Sequence, residues 1–222
     1  MNASLDFPFH GTTLTARSSG ALWWADASVL CVSDLHLGKS DRIARRTGAM
    51  LPPYETRETL DAIMAEVESL NPRTVICLGD SFDDLAAADA LTDSDRMVIA
   101  RLQSGRHWIW IEGNHDPGPV EFGGDHLADV TIGPLTFRHI ATPDTPGEIS
   151  GHYHPKVRLS LRGRTISRAA FLVDDTKLLV PAFGAYTGGL CTTNPALSGL
   201  MGPGAQAILT GKTVTQLPMP RG

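Results

Sequence analysis

The sequence predicts an α/β fold in which two β-sheets pack face to face and helices cover their outer surfaces. The first half alternates short β-rich runs with helical patterns, the order expected of a layered α/β protein. In the second half, short apolar runs are punctuated by Gly and Pro, which predicts mostly antiparallel strands. A chain of 222 residues can bury a sizeable core, and this length favours a single domain, 1–222, over two small ones.

Three predicted strands of the first half, 29–34, 74–80 and 107–113, have the same form. Each is an apolar run whose end turns abruptly polar. The polar residues therefore lie where a strand leaves the sheet, which is a common place for functional side chains in α/β proteins.

Two helices are predicted between these strands. The first opens at the proline pair 52–53 and ends at Asn71, and its apolar residues recur every three or four positions, as on one buried face. The second covers 93–103, with Thr92 or Asp93 as its cap. Its apolar content comes mainly from Met97, Val98, Ala100 and Leu102.

Composition excludes several classes of protein. With 42% hydrophobic and 19% charged residues, the chain resembles an ordinary globular protein. No stretch approaches the ~20 apolar residues of a membrane span, and the N-terminus lacks a signal-peptide pattern, so the expected location is the cytoplasm, away from membranes. The net charge of −5 argues against a protein that coats nucleic acid through a broad basic surface. Three widely spaced cysteines indicate neither a disulfide framework nor a thiolate metal site.

Four polar clusters carry the candidate chemistry. They read D-L-H at 34–36, G-D-S-F-D at 79–83, G-N-H-D at 113–116 and G-H-Y-H at 151–154. Any one of them is weak evidence, because Asp, Asn and Gly are common in the turns that follow strands. The four together, in this order, predict a hydrolytic site with two metal ions.

These clusters resemble the successive signatures of the calcineurin-like metallophosphoesterase superfamily, and the resemblance spans Asp34 to His154. It implies a four-layer αββα sandwich of two packed mixed sheets flanked by helices. It also implies a dinuclear metal centre in which Asp80 bridges the two ions. One ion would be bound by Asp34, His36, Asp80 and His154, and the other by Asp80, Asn114, His139 and His152.

One ligand of this set, His139, has a competitor. The corresponding family signature is little more than a histidine at a strand end, which fits His139 in L-T-F-R-H-I. His126 lies before the strand pair, in a Gly-rich loop, and is the less favoured alternative.

The residue types suit two-metal hydrolysis. Two divalent ions ~3.5–4 Å apart lower the pKa of a bridging water, orient the phosphate and neutralise charge on its oxygens. Hard oxygen ligands mixed with imidazoles suit Mn²⁺, Fe or Zn²⁺, and the resemblance favours manganese.

The resemblance also implies two catalytic roles. His115 is not needed as a ligand, so it is expected to stabilise the transition state and to protonate the leaving oxygen. Asp83 would accept the other N–H of His115 and set its orientation. Asp116 is expected directly behind the ligands.

A narrower resemblance concerns the substrate. D-L-H-L-G-K at 34–39, a following basic helix, the proline pair 52–53 and P-A-F-G-A-Y-T-G-G at 181–189 resemble the bacterial ligase-associated DNA-damage-response endonucleases of the PdeM family. That family is thought to cleave DNA alongside a ligase and a helicase. The resemblance therefore implies a DNA substrate, single-stranded in the favoured interpretation, and a DNA ligase and a helicase as functional partners.

Two basic stretches are candidates for substrate binding. Lys39, Arg42, Arg45 and Arg46 follow the first cluster closely enough to contact neighbouring phosphates, and a solvated helix face is an equally weighted alternative. Arg162 lies at the predicted turn of a hairpin after G-H-Y-H. That hairpin would either guide a nucleic-acid strand or keep the surface soluble.

Other functions remain open at this stage. The same residues would serve a phosphatase, a phosphodiesterase acting on nucleotides or other small esters, or a nucleotide pyrophosphatase, because the metals do not select the leaving group. A metal-binding scaffold without turnover is the alternative from another class. Such relatives tend to lose the histidine that His115 represents, or some ligands, whereas every expected position is filled here. The sequence says nothing about oligomeric state.

Overall fold

The computed structural model describes residues 3–50, 52, 54–118, 121–143, 145–161 and 163–222. Two positions used in the sequence predictions, Pro53 and Arg162, lie outside these residues. The described helices are α1 (Lys39–Thr47), α2 (Glu55–Leu70), α3 (Leu85–Asp89), α4 (Asp93–Gln103) and α5 (Pro195–Leu200). The described strands are β1 (Ser4–Phe9), β2 (Thr12–Arg17), β3 (Leu22–Trp24), β4 (Val29–Val32), β5 (Thr74–Leu78), β6 (His107–Ile111), β7 (Asp125–Leu127), β8 (Asp129–Ile132), β9 (Leu135–Arg138), β10 (Glu148–Ser150), β11 (Lys156–Leu161), β12 (Arg164–Val173), β13 (Lys177–Leu179), β14 (Gln206–Leu209) and β15 (Thr215–Pro218).

The first sheet has the order β1-β2-β3-β4-β5-β6-β7. Its first four strands are antiparallel neighbours, whereas β4, β5, β6 and β7 run parallel. Val29 pairs with Thr74, and Thr74 pairs with His107, so β4, β5 and β6 start level with one another. Their carboxyl ends therefore meet at one edge of the sheet, and the first three polar clusters follow there.

The second sheet has the order β15-β14-β12-β13-β10-β9-β8, and β11 extends it as a hairpin with β12. Most of its neighbours are antiparallel, as predicted, but β9, β10 and β13 are parallel. Arg138 pairs with Ser150 in this parallel group. The segments that follow β9 and β10, which contain His139 and the fourth cluster, therefore leave the sheet side by side.

Three apolar clusters hold the layers together. Between the sheets, buried side chains of β5 and β6 pack against those of β9, β10 and β12: Ile76, Ile109, Phe137, Ile149 and Phe171. Helices α2 and α4 cover the outer face of the first sheet with Leu60, Ile63, Val67, Ile99 and Leu102. Helix α5 covers part of the outer face of the second sheet with Leu197. Two mixed sheets flanked by helices confirm the predicted sandwich.

The predicted strands and helices are observed with small changes. The three strands of the first half end two residues earlier than predicted, because the residues after them turn out of the sheet. Helix α2 begins at Glu55 and ends before Asn71, which adopts a left-handed φ of 46° as its C-cap. Helix α4 has the predicted limits, and the Thr92 hydroxyl accepts the Asp95 N–H at its start.

The apolar residues of α4 do not all face the core. Met97 is 67% exposed, whereas Ile99 and Leu102 are buried against the helix layer and the first sheet. The helix is turned so that positions three residues apart face inward, and Met97 lies outside that face. No helix among the described residues combines the length and the apolar composition that crossing a membrane requires.

Candidate metal centre and active site

The seven predicted ligands lie together where the loops after β4, β5, β6, β9 and β10 meet. Each has a donor atom within 3.4 Å of a donor atom of another member of the set. The members are Asp34, His36, Asp80, Asn114, His139, His152 and His154. Segments far apart in the sequence thus provide one site, and His139 belongs to it.

One group of three contains Asp34, His36 and His154. Asp34 Oδ1 lies 3.0 Å from His154 Nε2, and the Nε2 atoms of His36 and His154 are 3.4 Å apart. The carboxylate of Asp34 is fully buried and is oriented from behind, because it accepts hydrogen bonds from the Ser33 hydroxyl (2.5 Å) and the His152 main-chain N–H (3.0 Å). This group corresponds to three of the four ligands expected for the first ion.

A second group contains Asp80, His139 and His152. Nε2 of His139 is its centre, at 3.4 Å from Asp80 Oδ2, 3.3 Å from His152 Nδ1 and 3.1 Å from Asn114 Oδ1. These are the four residues expected for the second ion. The two groups adjoin at Asp34, whose Oδ1 lies 3.9 Å from His139 Nδ1.

His126, the competitor of His139, lies elsewhere. Its ring stacks on Trp110 with centroids 6.3 Å apart, and its Nε2 contacts the Phe122 carbonyl oxygen at 3.2 Å. The register of β9 beside β10 is what brings His139, and not His126, to the other ligands.

The imidazole tautomers favour a bound cation. Nδ1 of His139 lies 3.0 Å from the Leu78 carbonyl oxygen, and Nδ1 of His36 lies 2.8 Å from Asp83 Oδ1. The Leu78 oxygen can accept the Nδ1 proton of His139, and the Asp83 carboxylate lies close enough to pair with Nδ1 of His36, so that the neutral ring in each case has its lone pair on Nε2. The lone pair of His139 then faces two oxygens and a nitrogen that are themselves acceptors, and a divalent cation satisfies such a set. The residues present therefore fit the metal centre that the resemblance implies.

The charges of Asp80 and His152 agree with this interpretation. Burial opposes protonation of His139, but Asp80 and Asp34 raise its pKa, so a cation would take the place of the proton on its Nε2. Burial opposes ionisation of Asp80, yet the contacts with His139 and His115 lower its pKa to about 2, so it is a carboxylate at neutral pH. Burial lowers the pKa of His152, and the neighbouring His139 lowers it further. His152 is therefore neutral and available as a ligand.

Strained backbone occurs at the ligands. Five of the seven have positive φ values between 45° and 68°, a region that residues other than glycine seldom adopt. They are Asp34, His36, Asp80, His152 and His154. All five lie outside the strands, in the turns that follow them, so the unusual conformations occur where the chain leaves the sheet.

Two glycines permit the close approach of these loops. A Cβ at Gly113 would collide with the main-chain nitrogen and the carboxylate of Asp80, and a Cβ at Gly151 would collide with the Ser33 hydroxyl and the Asp34 carboxylate. A side chain at either position would therefore push the ligand loops apart. Ser33 was missed in the sequence predictions, and its position directly before D-L-H was the only signal available.

His115 occupies the position expected of a proton donor. Its Nδ1 lies 2.8 Å from the Asp83 carbonyl oxygen, its main-chain N–H donates to Asp80 Oδ1 at 2.8 Å, and its Nε2 lies 4.0 Å from Asp80 Oδ2. The side chain is 28% exposed, so a substrate can reach Nε2. With Nδ1 held by a carbonyl, Nε2 is the atom that can carry or release a proton.

Asp83 contacts His115 as predicted, but through its main-chain carbonyl. Its carboxylate is fully buried and lies 2.8 Å from His36 Nδ1 and 2.9 Å from Arg42. Burial opposes ionisation, but His36 and Arg42 hold the pKa of Asp83 well below its usual range. The side chain of Asp83 therefore orients a proposed ligand, whereas its backbone orients His115.

The basic residues of α1 have partners other than the predicted phosphates. Arg42 pairs with Asp83, and Lys39 Nζ lies 3.8 Å from the same carboxylate. Arg45 contacts Asp41 and Asp84 at 2.6 and 2.8 Å. Arg46 is 61% exposed and lies 4.0 Å from Asp84, so it is the most accessible of the four. Arg42 thus has a structural role that the sequence could not reveal.

Asp116 joins two of the ligand loops. Its carboxylate accepts four main-chain hydrogen bonds, two at each oxygen: Oδ1 from Asp80 and Gly113, both at 3.0 Å, and Oδ2 from Ser81 and Phe82 at 2.7 and 3.1 Å. Burial raises the pKa of Asp116 to about 6, although these N–H donors oppose the rise. The side chain holds the turn after β5 against the turn after β6.

Asp116→Asn is expected to lower the free energy of unfolding of the metal-free protein. The amide group replaces one oxygen with an N–H₂ donor, which leaves two buried main-chain N–H groups without an acceptor, at about 1–3 kcal/mol each. Urea denaturation in the presence of EDTA measures the change. Asp26→Asn, at an exposed position, is the matched control. Equal midpoints for the two variants would contradict the role given to Asp116.

The family model described as calcineurin-like phosphoesterase matches residues 27–192. The crystal structure of Pseudomonas putida nuclease MPE is similar over 96% of this chain and 100% of that chain, with 23% identity and a TM-score of 0.75. At this identity, the likeness shows a shared fold. A search of curated proteins found no match.

Proposed function

The chain belongs to the calcineurin-like phosphoesterase family, whose members are metal-dependent phosphoester hydrolases, and we propose that it is an endonuclease that cleaves DNA, single-stranded DNA in particular, during DNA repair. The observation that carries this proposal is the pair of adjoining ligand groups with His115 beside them. Such a site is equipped to hydrolyse a phosphate ester and to protonate the leaving oxygen.

The proposed metal ligands are the six residues of the two groups and Asn114, through its amide oxygen. One ion would be held by Asp34, His36 and His154. The other ion would be held by Asn114, His139 and His152, and Asp80 would contact both ions. Bound there, two divalent ions would activate a water and neutralise charge on the phosphate. We take manganese as the physiological metal, with iron or zinc as alternatives that the same ligands accept.

The protein's own residues complete the reaction. His115 presents Nε2 to the substrate and gives its proton to the leaving oxygen, and the Asp83 carbonyl keeps the ring in this orientation. Asp80 stays ionised and holds the His115 backbone through Oδ1. His36 is held by the Asp83 carboxylate, so that loss of this carboxylate would loosen a ligand rather than remove one.

A DNA substrate is supported by three further observations. The similar structure from P. putida is that of a nuclease, and the segments at 34–39 and 181–189 resemble endonucleases of DNA-damage response. Arg46 is the most exposed of the four cations on α1 and can contact a neighbouring phosphate, and Lys39 adds positive charge near Asp83. By the same resemblance we propose that the enzyme works with a DNA ligase and a helicase. Its length and composition are the grounds on which we propose one domain and a cytoplasmic location.

Circular single-stranded DNA tests this proposal, because it has no ends for an exonuclease. With Mn²⁺, the protein is expected to convert the circles to linear and shorter products, and EDTA should abolish the reaction. Intact circles, together with hydrolysis of bis(p-nitrophenyl) phosphate, would instead assign the site to nucleotides or other small phosphoesters. Binding of two Mn²⁺ without hydrolysis of either compound would favour the non-catalytic scaffold.

A further inference from the structure

An open cavity of about 360 Å³ lies beside the second ligand group. Two proposed ligands, Asn114 and His139, form one side of it, and Glu112, Asp129, Arg138 and Ile140 line the rest. A molecule in the cavity would therefore touch the same residues that would hold a metal-bound phosphate. This position makes the cavity a candidate for an ester group attached to that phosphate.

Another side of the cavity is formed by Arg138, whose side chain is held in place by ion pairs. Arg138 lies 3.2 Å from Asp129 and 3.5 Å from Glu148, which is fully buried. Glu148 in turn accepts hydrogen bonds from the N–H and the hydroxyl of Thr142. Arg138 is thus held by two carboxylates on different strands, and its position does not depend on a substrate.

The charges of the lining disfavour a second phosphate. The guanidinium of Arg138 is already neutralised by Asp129 and Glu148, and Glu112 adds another carboxylate to the rim. Ile140 is a large apolar side chain that is 45% exposed, and Ala128 also lines the cavity. An uncharged group with apolar surface and several hydrogen-bonding atoms suits this lining, and the sugar and base of a nucleoside have that character.

The position of the cavity relative to His115 also indicates which of the two ester groups of a phosphodiester would occupy the cavity. His115, the proposed proton donor for the leaving oxygen, lies against the ring of His36, with centroids 5.1 Å apart. The cavity opens instead beside His139 in the second group. His115 is not among the residues that line the cavity, so a leaving group beside its Nε2 would leave the cavity free for the group that stays on the phosphate.

We propose that this cavity binds the nucleoside that stays on the phosphate when the phosphodiester bond is cleaved. Its sugar and base would lie against Ile140 and Ala128, within reach of the Arg138 and Asn114 polar groups. The inference rests on the proposed function, because it assumes a phosphodiester at the two ligand groups. It makes the enzyme selective for nucleic acids over other diesters without recognition of sequence.

Two small diesters with the same leaving group test the inference. The p-nitrophenyl ester of thymidine 5′-phosphate carries a nucleoside as the retained group, whereas methyl p-nitrophenyl phosphate carries only a methyl group. With Mn²⁺, kcat/KM for the thymidine ester is expected to exceed that for the methyl ester by about tenfold or more. The ratio of the two values does not depend on the fraction of active protein, so partial misfolding of a variant does not alter it.

Two variants change the cavity without replacing a proposed ligand. Ala128→Phe fills the cavity, and Ile140→Ala removes its exposed apolar wall. Each is expected to lower the ratio of kcat/KM for the thymidine ester to that for the methyl ester several-fold, and the filled cavity should lower it about tenfold. Ile166→Ala, an exposed isoleucine of β12, is the matched control and should keep the wild-type ratio. A wild-type ratio near one, or variants that keep the wild-type ratio, would overturn the inference. Hydrolysis of neither ester by the wild type would overturn the proposed function and this inference together.

Discussion

Asp80→Asn is expected to lower kcat for hydrolysis of bis(p-nitrophenyl) phosphate on the order of 10³-fold, more than the ~10–100-fold that loss of a ligand's supporting partner costs. The variant keeps the shape of the side chain and can still accept the His115 main-chain N–H. It removes the negative charge that lies 3.4 Å from His139 Nε2 and that the proposed bridge between two ions requires. The effect is therefore one of charge, with little change in packing.

The measurement combines steady-state kinetics with the stoichiometry of bound Mn²⁺ from calorimetry. Asp80→Asn is expected to bind fewer than two ions at concentrations that saturate the wild type. Asp61→Asn, an exposed carboxylate paired with Arg57, is the control and should bind and turn over as the wild type does. If Asp80→Asn bound two ions with unchanged affinity and kept a tenth of the activity, Asp80 would not be a bridging ligand.

His115→Ala is expected to lower kcat about 10²–10⁴-fold while the Mn²⁺ stoichiometry stays the same. The imidazole is the proposed proton donor and is not one of the proposed ligands, so its loss should separate chemistry from metal binding. The loss should be larger for an ester with an alkoxide leaving group than for one with p-nitrophenolate. p-Nitrophenolate is the weaker base, so it can leave without being protonated, whereas an alkoxide needs a proton donor.

His107→Ala is the matched control for this experiment, because His107 is 56% exposed and pairs with Asp125 on the surface. It should leave both substrates unaffected. Equal losses for the two leaving groups in His115→Ala would argue against proton donation, and a lost metal ion would show that the ring supports a ligand, for instance through its contact with His36.

Much of the candidate site was predictable because its residues occur in short segments at strand ends. Parallel strands with level starts place their carboxyl ends at one edge, so Asp34, Asp80 and Asn114 follow β4, β5 and β6 to a common place. The local pattern of an apolar run, a glycine and a polar residue indicates this arrangement even when the contacts between the strands are unknown. His139 was preferred to His126 as a ligand because His139 also follows a predicted strand.

Other features could not be predicted, because they depend on how distant segments meet. The orientation of α4, which buries Ile99 and exposes Met97, is set by contact with α2 and the first sheet. The partner of Arg42 is a carboxylate 41 residues away, and a pattern of basic residues looks the same whether it faces phosphate or Asp83. The cavity beside His139 arises from loops of both sheets and has no counterpart in any one segment.

By itself, the sequence determined the family, the layered α/β class and the identities of the side chains that meet at the strand ends, because these follow from local periodicity and short motifs. Only the tertiary structure decided which atoms face one another. Nδ1 of His139 is held by a carbonyl 61 residues earlier, Asp83 holds His115 by its backbone and His36 by its carboxylate, and Arg138 is held between two strands. Such contacts depend on the relative placement of whole sheets, to within about an ångström, which a linear pattern does not contain.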